Sequence, residues 1–349
     1  MPLGTEGQVA ENRNTGPHKP TLEDVARAAG VSRALVSIVI RDAPGASDGT
    51  RARVLAVAEQ LGYRPDVRAR LLARSASRLI GVTYRADSLH HMDLLEPIYD
   101  AADVAGYDVI LSAKTPHRDE RRAVNTVMGY RCDAILLLGA DLPEPEVRRL
   151  GASQPVVAVG RRLVRRSEGV DTVRTDEDHG MRLAVDHLTG LGHRRIALIG
   201  GGPGAKASDR RRGYRTAMTH AGLHDAIRIA EGGETVDAGW RAATTLLAAA
   251  PRPTAIVAYN DEAAWGVLRA AAHHGIAVPE ELSVVGYDGT SLSVLAPRRL
   301  TTVRQDAESI GRTAVLRAVA RLSGDAGDDR DTVFRPSFID GETTGRPRR

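Results

Sequence analysis

The sequence predicts an all-α helix-turn-helix head followed by a two-lobed α/β body. Three observations carry that prediction. Residues 21 to 41 hold two helix signals separated by a glycine turn; from Leu79 onward short apolar runs alternate with helical patterns; and the positive charge is unevenly placed. Residues 1 to 78 contain 12 Lys and Arg against 8 Asp and Glu, whereas the remaining 36 basic residues are balanced by 36 acidic ones. All of the net charge of +4 therefore belongs to the N-terminal fifth, as a small polyanion-binding head on a neutral body requires.

Residues 1 to 19 are polar, with Gly, Pro and Asn scattered through them and no periodicity, and are expected to form a disordered arm. The head is expected over residues 20 to 65. Thr21 is an N-cap residue, and Asp24 three positions on can meet the unpaired amides of the first turn. Gly30 can take the positive φ that ends a helix, and Ser32 caps a second one. Val25, Ala26, Ala29, Val36 and Val39 are the apolar positions expected to hold the two helices together, with Arg33, Ala34, Ser37 and Arg41 on the other side. A second helix with exposed small or basic residues early in its length suits the major groove. Ser47 is expected to cap a third helix reaching about Leu61, with Val54, Leu55, Ala58 and Leu61 inward and Gly62 closing it.

Residues 66 to 78 are expected to be a linker or hinge helix. The stretch from Tyr63 to Arg78 holds five arginines against one acid, Asp66, which could cap a short helix through Leu72. Val67, Leu71 and Leu72 would waste apolar area in a mere spacer. Flanked by arginines, they match the pattern of side chains that wedge into a minor groove.

The body is expected over 79 to 345. Runs at 79–83, 109–113, 134–138, 156–159, 196–199, 255–258 and 283–285 read as buried parallel strands. Helical patterns lie between most of them, at 94–105, 120–130, 180–191, 213–221, 238–249 and 263–274. This alternation is doubly wound α/β architecture, and the number of units exceeds one compact sheet, so two lobes follow with a ligand site at the C-terminal ends of the strands. The expected N-lobe is about 79–160 with 290–325, and the expected C-lobe about 161–289 with 326–345.

Several function classes are disfavoured. One cysteine, Cys132, excludes a disulfide framework and a thiolate metal site, and reads as a buried small residue in a reducing cytosol. Neither a membrane span nor a signal-peptide pattern is present, so a soluble cytoplasmic protein is expected. Gly200-Gly201-Gly202-Pro203-Gly204-Ala205 fits GxGxxA after a strand, but it lies mid-chain without the strand-end acid of a dinucleotide site, and Lys206 is followed by Ala207 rather than by a Walker hydroxyl. The pairs His90-His91 and His273-His274 are adjacent, not spaced i, i+4 for a metal. No GxSxG elbow occurs. An enzyme is not expected, and neither metal nor cofactor is called for.

The ordered motifs resemble those of the lactose-repressor and galactose-repressor family of transcriptional regulators. The resemblance rests on the head from Thr21 to Ser37, Gly-Tyr-Arg-Pro (62–65), Ile-Gly-Val (80–82), Leu-Gly-His-Arg-Arg-Ile-Ala-Leu-Ile-Gly-Gly (191–201), Arg-Arg-Gly-Tyr-Arg (211–215), Asn260-Asp261, Val-Pro-Glu-Glu-Leu-Ser-Val-Val-Gly-Tyr-Asp (278–288) and Leu-Thr-Thr-Val-Arg-Gln (300–305). It spans about residues 20 to 345.

The resemblance implies a periplasmic-binding-protein-like (type I) body and a homodimer on double-stranded operator DNA. It also implies a small-molecule effector between the lobes, whether a sugar, a nucleoside or another polar metabolite. It places Thr21, Ser32, Ser37, Ser47 and Tyr63 near DNA phosphates, Arg33 and Ala34 at base edges, Leu72 as the minor-groove wedge and Ala69 near the contact between hinges. In the cleft it implies Arg210, Asn260 and Asp288 as polar ligand contacts. A shortened Leu89-His90-His91-Met92 loop stands where the family has an aromatic pair, and Glu234 near where an aromatic packs against sugar rings. Within the reader helix Leu35, Ile38 and Arg41 depart from the residues usual there, so Ile38 and Arg41 belong to the DNA-reading set while the operator is expected to differ from the usual one. A transport-type receptor would share the body, but it has no use for a basic three-helix head.

Overall fold

The computed structural model describes residues 20–64, 77–165, 167–291, 293, 298–324, 327 and 330–348. The chain divides into two units between Ala76 and Ser77. The expected arm, Ala69, Leu72 and most of the 66–78 linker lie outside the described residues.

The described residues of the first unit form three helices, α1 (Leu22–Ala29), α2 (Arg33–Ile40) and α3 (Asp48–Gln60). Thr21 and Asp24 make the reciprocal capping box, the Thr21 side chain accepting from the Asp24 amide and the Asp24 carboxylate accepting from the Thr21 amide at 2.9 Å. Gly30 ends α1 with φ 65°, a conformation that costs a residue with a β-carbon. Ser32 and Ser47 cap α2 and α3 by accepting from the amides of Leu35 and Thr50. Val25, Ala26, Ala29, Val36, Val39, Val54 and Ala58 form the small core. Leu55 and Leu61, expected inward, are instead 47% and 38% exposed. α3 packs Val54, Val57 and Ala58 on its partners, and Leu55 and Leu61 face away.

Among its described residues the second unit has two six-stranded sheets. Its elements are β1 (Leu79–Arg85), α4 (Leu89–Val104), β2 (Asp108–Lys114), α5 (Glu120–Gly129), β3 (Ala134–Leu138), α6 (Glu144–Ser153), β4 (Val156–Val159), β5 (Val170–Thr175), α7 (Glu177–Gly190), β6 (Ile196–Ile199), α8 (Ala205–His220), β7 (Arg228–Ala230), α9 (Val236–Ala248), β8 (Ala255–Val257), α10 (Asp261–His273), β9 (Ser283–Asp288), β10 (Thr301–Arg304), α11 (Ala307–Leu322), β11 (Asp331–Phe334) and β12 (Ser337–Ile339). The first sheet runs β11-β5-β4-β3-β1-β2 and the second β12-β10-β9-β8-β6-β7. Every pairing is parallel except β10 with β12.

Among the described residues the chain therefore crosses between lobes three times, from β5 to α7, from β10 to α11 and from β11 to β12. This corrects the expected lobe boundaries. β5 and β11 belong to the first sheet and β10 to the second, so the N-lobe reaches Thr175 and regains 307–334, while the C-lobe keeps Thr301–Arg304. β5 has no apolar run, because four of the six residues of Val-Asp-Thr-Val-Arg-Thr are polar. Its Asp171 is fully buried, and both carboxylate oxygens accept from Arg321 on α11, at 3.0 and 2.6 Å. Arg174 donates to Asp331 on β11 at 2.9 and 2.8 Å. A polar strand can be buried when its charges are paired in this way.

The three crossings lie side by side. The Asp176 amide donates to the Phe334 carbonyl at 2.8 Å, and the Thr175 hydroxyl donates to the Gln305 side-chain oxygen. Helices cover both faces of each sheet, with Ile80, Val82, Leu136 and Val157 in the N-lobe core and Ile199, Ile256 and Val284 in the C-lobe core. Cys132 is buried, and burial pushes its thiol up to about 11, so it is an inert packing residue. No helix among the described residues is long and apolar enough to cross a membrane.

Candidate functional site

On the first unit, α2 buries Val36 and Val39 and leaves Arg33, Ala34 and Arg41 exposed, with Ser37 and Ile38 half-buried. The burial of one side fixes which residues face outward, because the helix repeats every 3.6 residues. The Arg33 guanidinium lies 3.9 Å from the Glu23 carboxylate, both side chains about two-thirds exposed, a loose pair that leaves Arg33 able to reach elsewhere. The hydroxyls of Thr21, Ser32 and Ser47 serve their own helix N-termini. Arg41 turns back, its Nε donating to the Ser37 carbonyl at 3.0 Å. Tyr63 is half-buried against the head core. Arg51 holds the loop after α2 by donating to Asp42 at 2.6 Å and to the Ala43 carbonyl at 2.8 Å.

In the second unit, the strand ends and crossings assemble a buried charge cluster. Arg210 on α8 is 1% exposed. Its Nε donates to Glu177 at 2.9 Å, its Nη2 to Asp288 at 2.9 Å and its Nη1 to the Tyr259 carbonyl. Its carbon lies 3.7 Å from the ring centre of Tyr287 and 4.7 Å from that of Tyr259. Despite burial, Glu177 and Asp288 hold the guanidinium charged, its pKa well above the usual arginine value. Asp209, the neighbour in sequence, pairs with Arg212. Gly180 makes the aromatic wall possible, since a β-carbon there would stand 2.2 Å from the Tyr287 hydroxyl oxygen.

Asp288 ends β9 with φ 103°, a strained value for a residue with a side chain. Burial raises its pKa, but Lys206, Arg210 and His90 outweigh that and bring it down to about 2. It also accepts from the Gln305 side chain at 2.6 Å. Asp288 is thereby joined through Gln305 to Thr175, across two of the three crossings.

His90 and His91 lie in the first turn of α4, not in a loop, and both are buried. Burial lowers the His90 pKa to about 4, with Lys206 and Arg210 adding to the effect and Asp288 opposing it. His91 is lowered well below its usual value by burial and then by His90, and its Nδ1 accepts from the Arg85 amide at 3.0 Å. Asn260 caps α10, its Oδ1 accepting from the Ala263 amide at 2.8 Å while its Nδ2 donates to the Glu234 carbonyl at 2.9 Å. Of the five residues the resemblance assigns to the cleft, His90, His91, Arg210 and Asp288 thus share one electrostatic cluster. His91 is turned to β1, and Asn260 is occupied in holding the Glu234 turn.

Sequence reading missed Glu177, Lys206, Tyr259, Glu262, Tyr287 and Gln305. Glu177 and Gln305 sit at crossings that no local pattern marks, and Lys206 fits in the sequence only a phosphate-loop comparison. Burial and then Asp288 push Glu262 up to about 7, and its neighbour Asp261 is raised to about 7 by the same causes. Asp261 accepts from Thr302 at 2.6 Å and from the Thr290 amide at 2.8 Å, and so ties α10 to β10.

Residues 21–66 match the model of bacterial regulatory proteins of the lacI family, and residues 185–344 match a periplasmic-binding-protein-like domain. The chain is 34% identical to catabolite control protein A of Priestia megaterium over 326 residues, covering 92% of this chain and 97% of that one. It is similar in structure to a LacI transcriptional regulator from a Rhodococcus species, with TM-score 0.73 and 41% identity over 77% of this chain and 98% of that one. It is also similar to the lac repressor dimer bound to operator and the anti-inducer ONPF, with TM-score 0.78 and 29% identity over 94% of this chain and all of that one.

Proposed function

We infer, because this chain belongs to the lacI family of bacterial regulatory proteins, that it is a sequence-specific DNA-binding transcriptional repressor whose operator affinity is set by a small polar molecule held between its two lobes. The observation that carries the reading is α2. Ser32 caps it, Val36 and Val39 pin its inner side, and Arg33 and Ala34 stand exposed in its first turn, as a helix that reads base edges must present them. Arg33 is assigned to a guanine, whose O6 and N7 an arginine fork fits, with Ala34, Ser37, Ile38 and Arg41 completing the reading face. Thr21, Ser32, Ser47 and Tyr63 lie along the phosphates, and Ala69 and Leu72 act at the hinge. Two copies read a pseudo-palindrome, as in the operator-bound lac repressor dimer. The working compartment is the cytoplasm, where the DNA is.

The effector site is the cleft around His90, His91, Arg210, Asn260 and Asp288. A ligand controls DNA affinity only through a difference in its affinity for two lobe arrangements. Gln305 supplies the route, because it binds Asp288 in the cleft and Thr175 at the first crossing. Selection of genomic fragments by the purified chain, followed by binding of the enriched sequence at several salt concentrations, tests the reading. The expected result is one enriched pseudo-palindrome and a steep fall of log K with log salt. Absence of an enriched motif, or a flat salt response, overturns it.

A further inference from the structure

The lobes are bridged by this chain's own charges. Glu234, in the turn before α9, pairs with Arg85 at the end of β1. Glu262 on α10 accepts from the Leu89 amide at 2.9 Å, and the Ser291 hydroxyl donates to Asp93 at 2.8 Å. Asp141, in the loop after β3, places an oxygen 2.8 Å from where a β-carbon on Gly204 would sit. A carboxylate thus rests beside the N-terminus of α8, where Gly204 offers no capping side chain and the first turn holds no acid.

Two side chains at this place are left with unmet polar capacity. Lys206, in the first turn of α8, makes no hydrogen bond or ion pair among the described residues, yet it acts on His90, Asp288 and Arg210. Glu262 is 6% exposed and its Oε2 is buried without a partner. Arg210, by contrast, is fully engaged, and its guanidinium covers the faces of Tyr259 and Tyr287. One face of each of these two rings is therefore taken by a cation, and beside them Lys206 is a cation that acts on Asp288 without a direct ion pair.

We propose that the effector is an anionic polyol, a sugar acid or a sugar phosphate, whose charged group sits on Lys206 and the first-turn amides of α8 while its hydroxyls bond Glu262 and His90. Helix N-terminal amides and an ammonium favour an anion, and a buried carboxylate oxygen favours a hydroxyl donor. Glu234 on Arg85 and Asp141 at α8 hold the place of such a ligand when it is absent. The proposal rests on the cleft being the effector site.

The test uses the full chain in calorimetry with two matched pairs, D-glucuronate against D-glucose and D-ribose 5-phosphate against D-ribose. At least one anion is expected to bind 10-fold or more tightly than its neutral twin. Which anion wins separates carboxylate from phosphate. Lys206→Met should weaken that anion about 10- to 100-fold, the range for one hydrogen bond to a charged group, and Lys206→Arg should restore most of it. A melting curve on each variant checks folding. Binding of the neutral twins as tightly as the anions, no binding of either anion, or an unaltered affinity in Lys206→Met overturns the anion assignment. If the neutral sugars bind and change operator affinity, the regulator reading stands while this proposal falls; if the wild-type chain selects no DNA, that reading falls separately.

Discussion

Individual side chains make sharp predictions because each has a single arrangement of partners. Arg33 stands exposed at the start of α2, so Arg33→Ala should cost about 1–3 kcal/mol of discrimination at one base position of each half-site, read by binding to a panel of point-substituted operators. Equal loss on every sequence would make it a phosphate contact instead. His90 predicts a pH dependence. An unfolded histidine titrates near 6.5 and this one near 4, so between those values the unfolded chain takes up a proton that the folded one refuses. The contribution is fully present above pH 6.5 and lost as pH falls through 4. A shift of that size is worth about 3 kcal/mol. Wild type and His90→Gln unfolded in urea at pH 7.5 and pH 4.5 should therefore differ, the wild type losing more on acidification. Asp261 and Glu262 act in the opposite sense over the same range, but they are common to both proteins and drop out of the comparison.

Elements were legible where their signals are local. The capping box at Thr21, the positive φ of Gly30 and the Ser32 and Ser47 caps appear as expected, because each is decided within four residues. The strands with apolar runs were legible too, since a strand buried on both faces is apolar throughout. β5 was not, and neither were β10, β11 and β12, which carry Asp171, Thr302, Asp331 and Ser337. The polar groups of Asp171, Thr302 and Asp331 are satisfied by residues far away in sequence, and no local pattern records that. β5 yields the prediction for this scale. Asp171→Ala strands Arg321 beside a buried strand and should cost about 3–5 kcal/mol, the usual result of breaking a buried pair, read as a lowered urea midpoint. Asp171→Asn should cost less.

At the scale of the whole molecule, the proposed function depends on moving one lobe against the other about three crossings. Gln305→Leu keeps the size of the side chain but breaks the links to Asp288 and Thr175. The expected outcome is a chain that still binds operator and effector separately, while the effector's influence on operator affinity falls toward none. Titrating operator with and without ligand measures this directly as the coupling free energy. An undiminished effect would mean that the signal travels by the other crossings.

By itself the sequence determined the three-helix head, the exposed side of α2, the two-lobed α/β body and the family to which the chain belongs, since caps, turns and apolar periodicity are short-range properties of the chain. Only the tertiary structure decided which strands belong to which lobe, and that Arg210 is committed to Glu177 and Asp288 while Lys206 is left over. Those pairings join residues separated by 33 and 78 positions. A charge's partner is chosen by proximity after folding, and no composition or spacing along the chain specifies it.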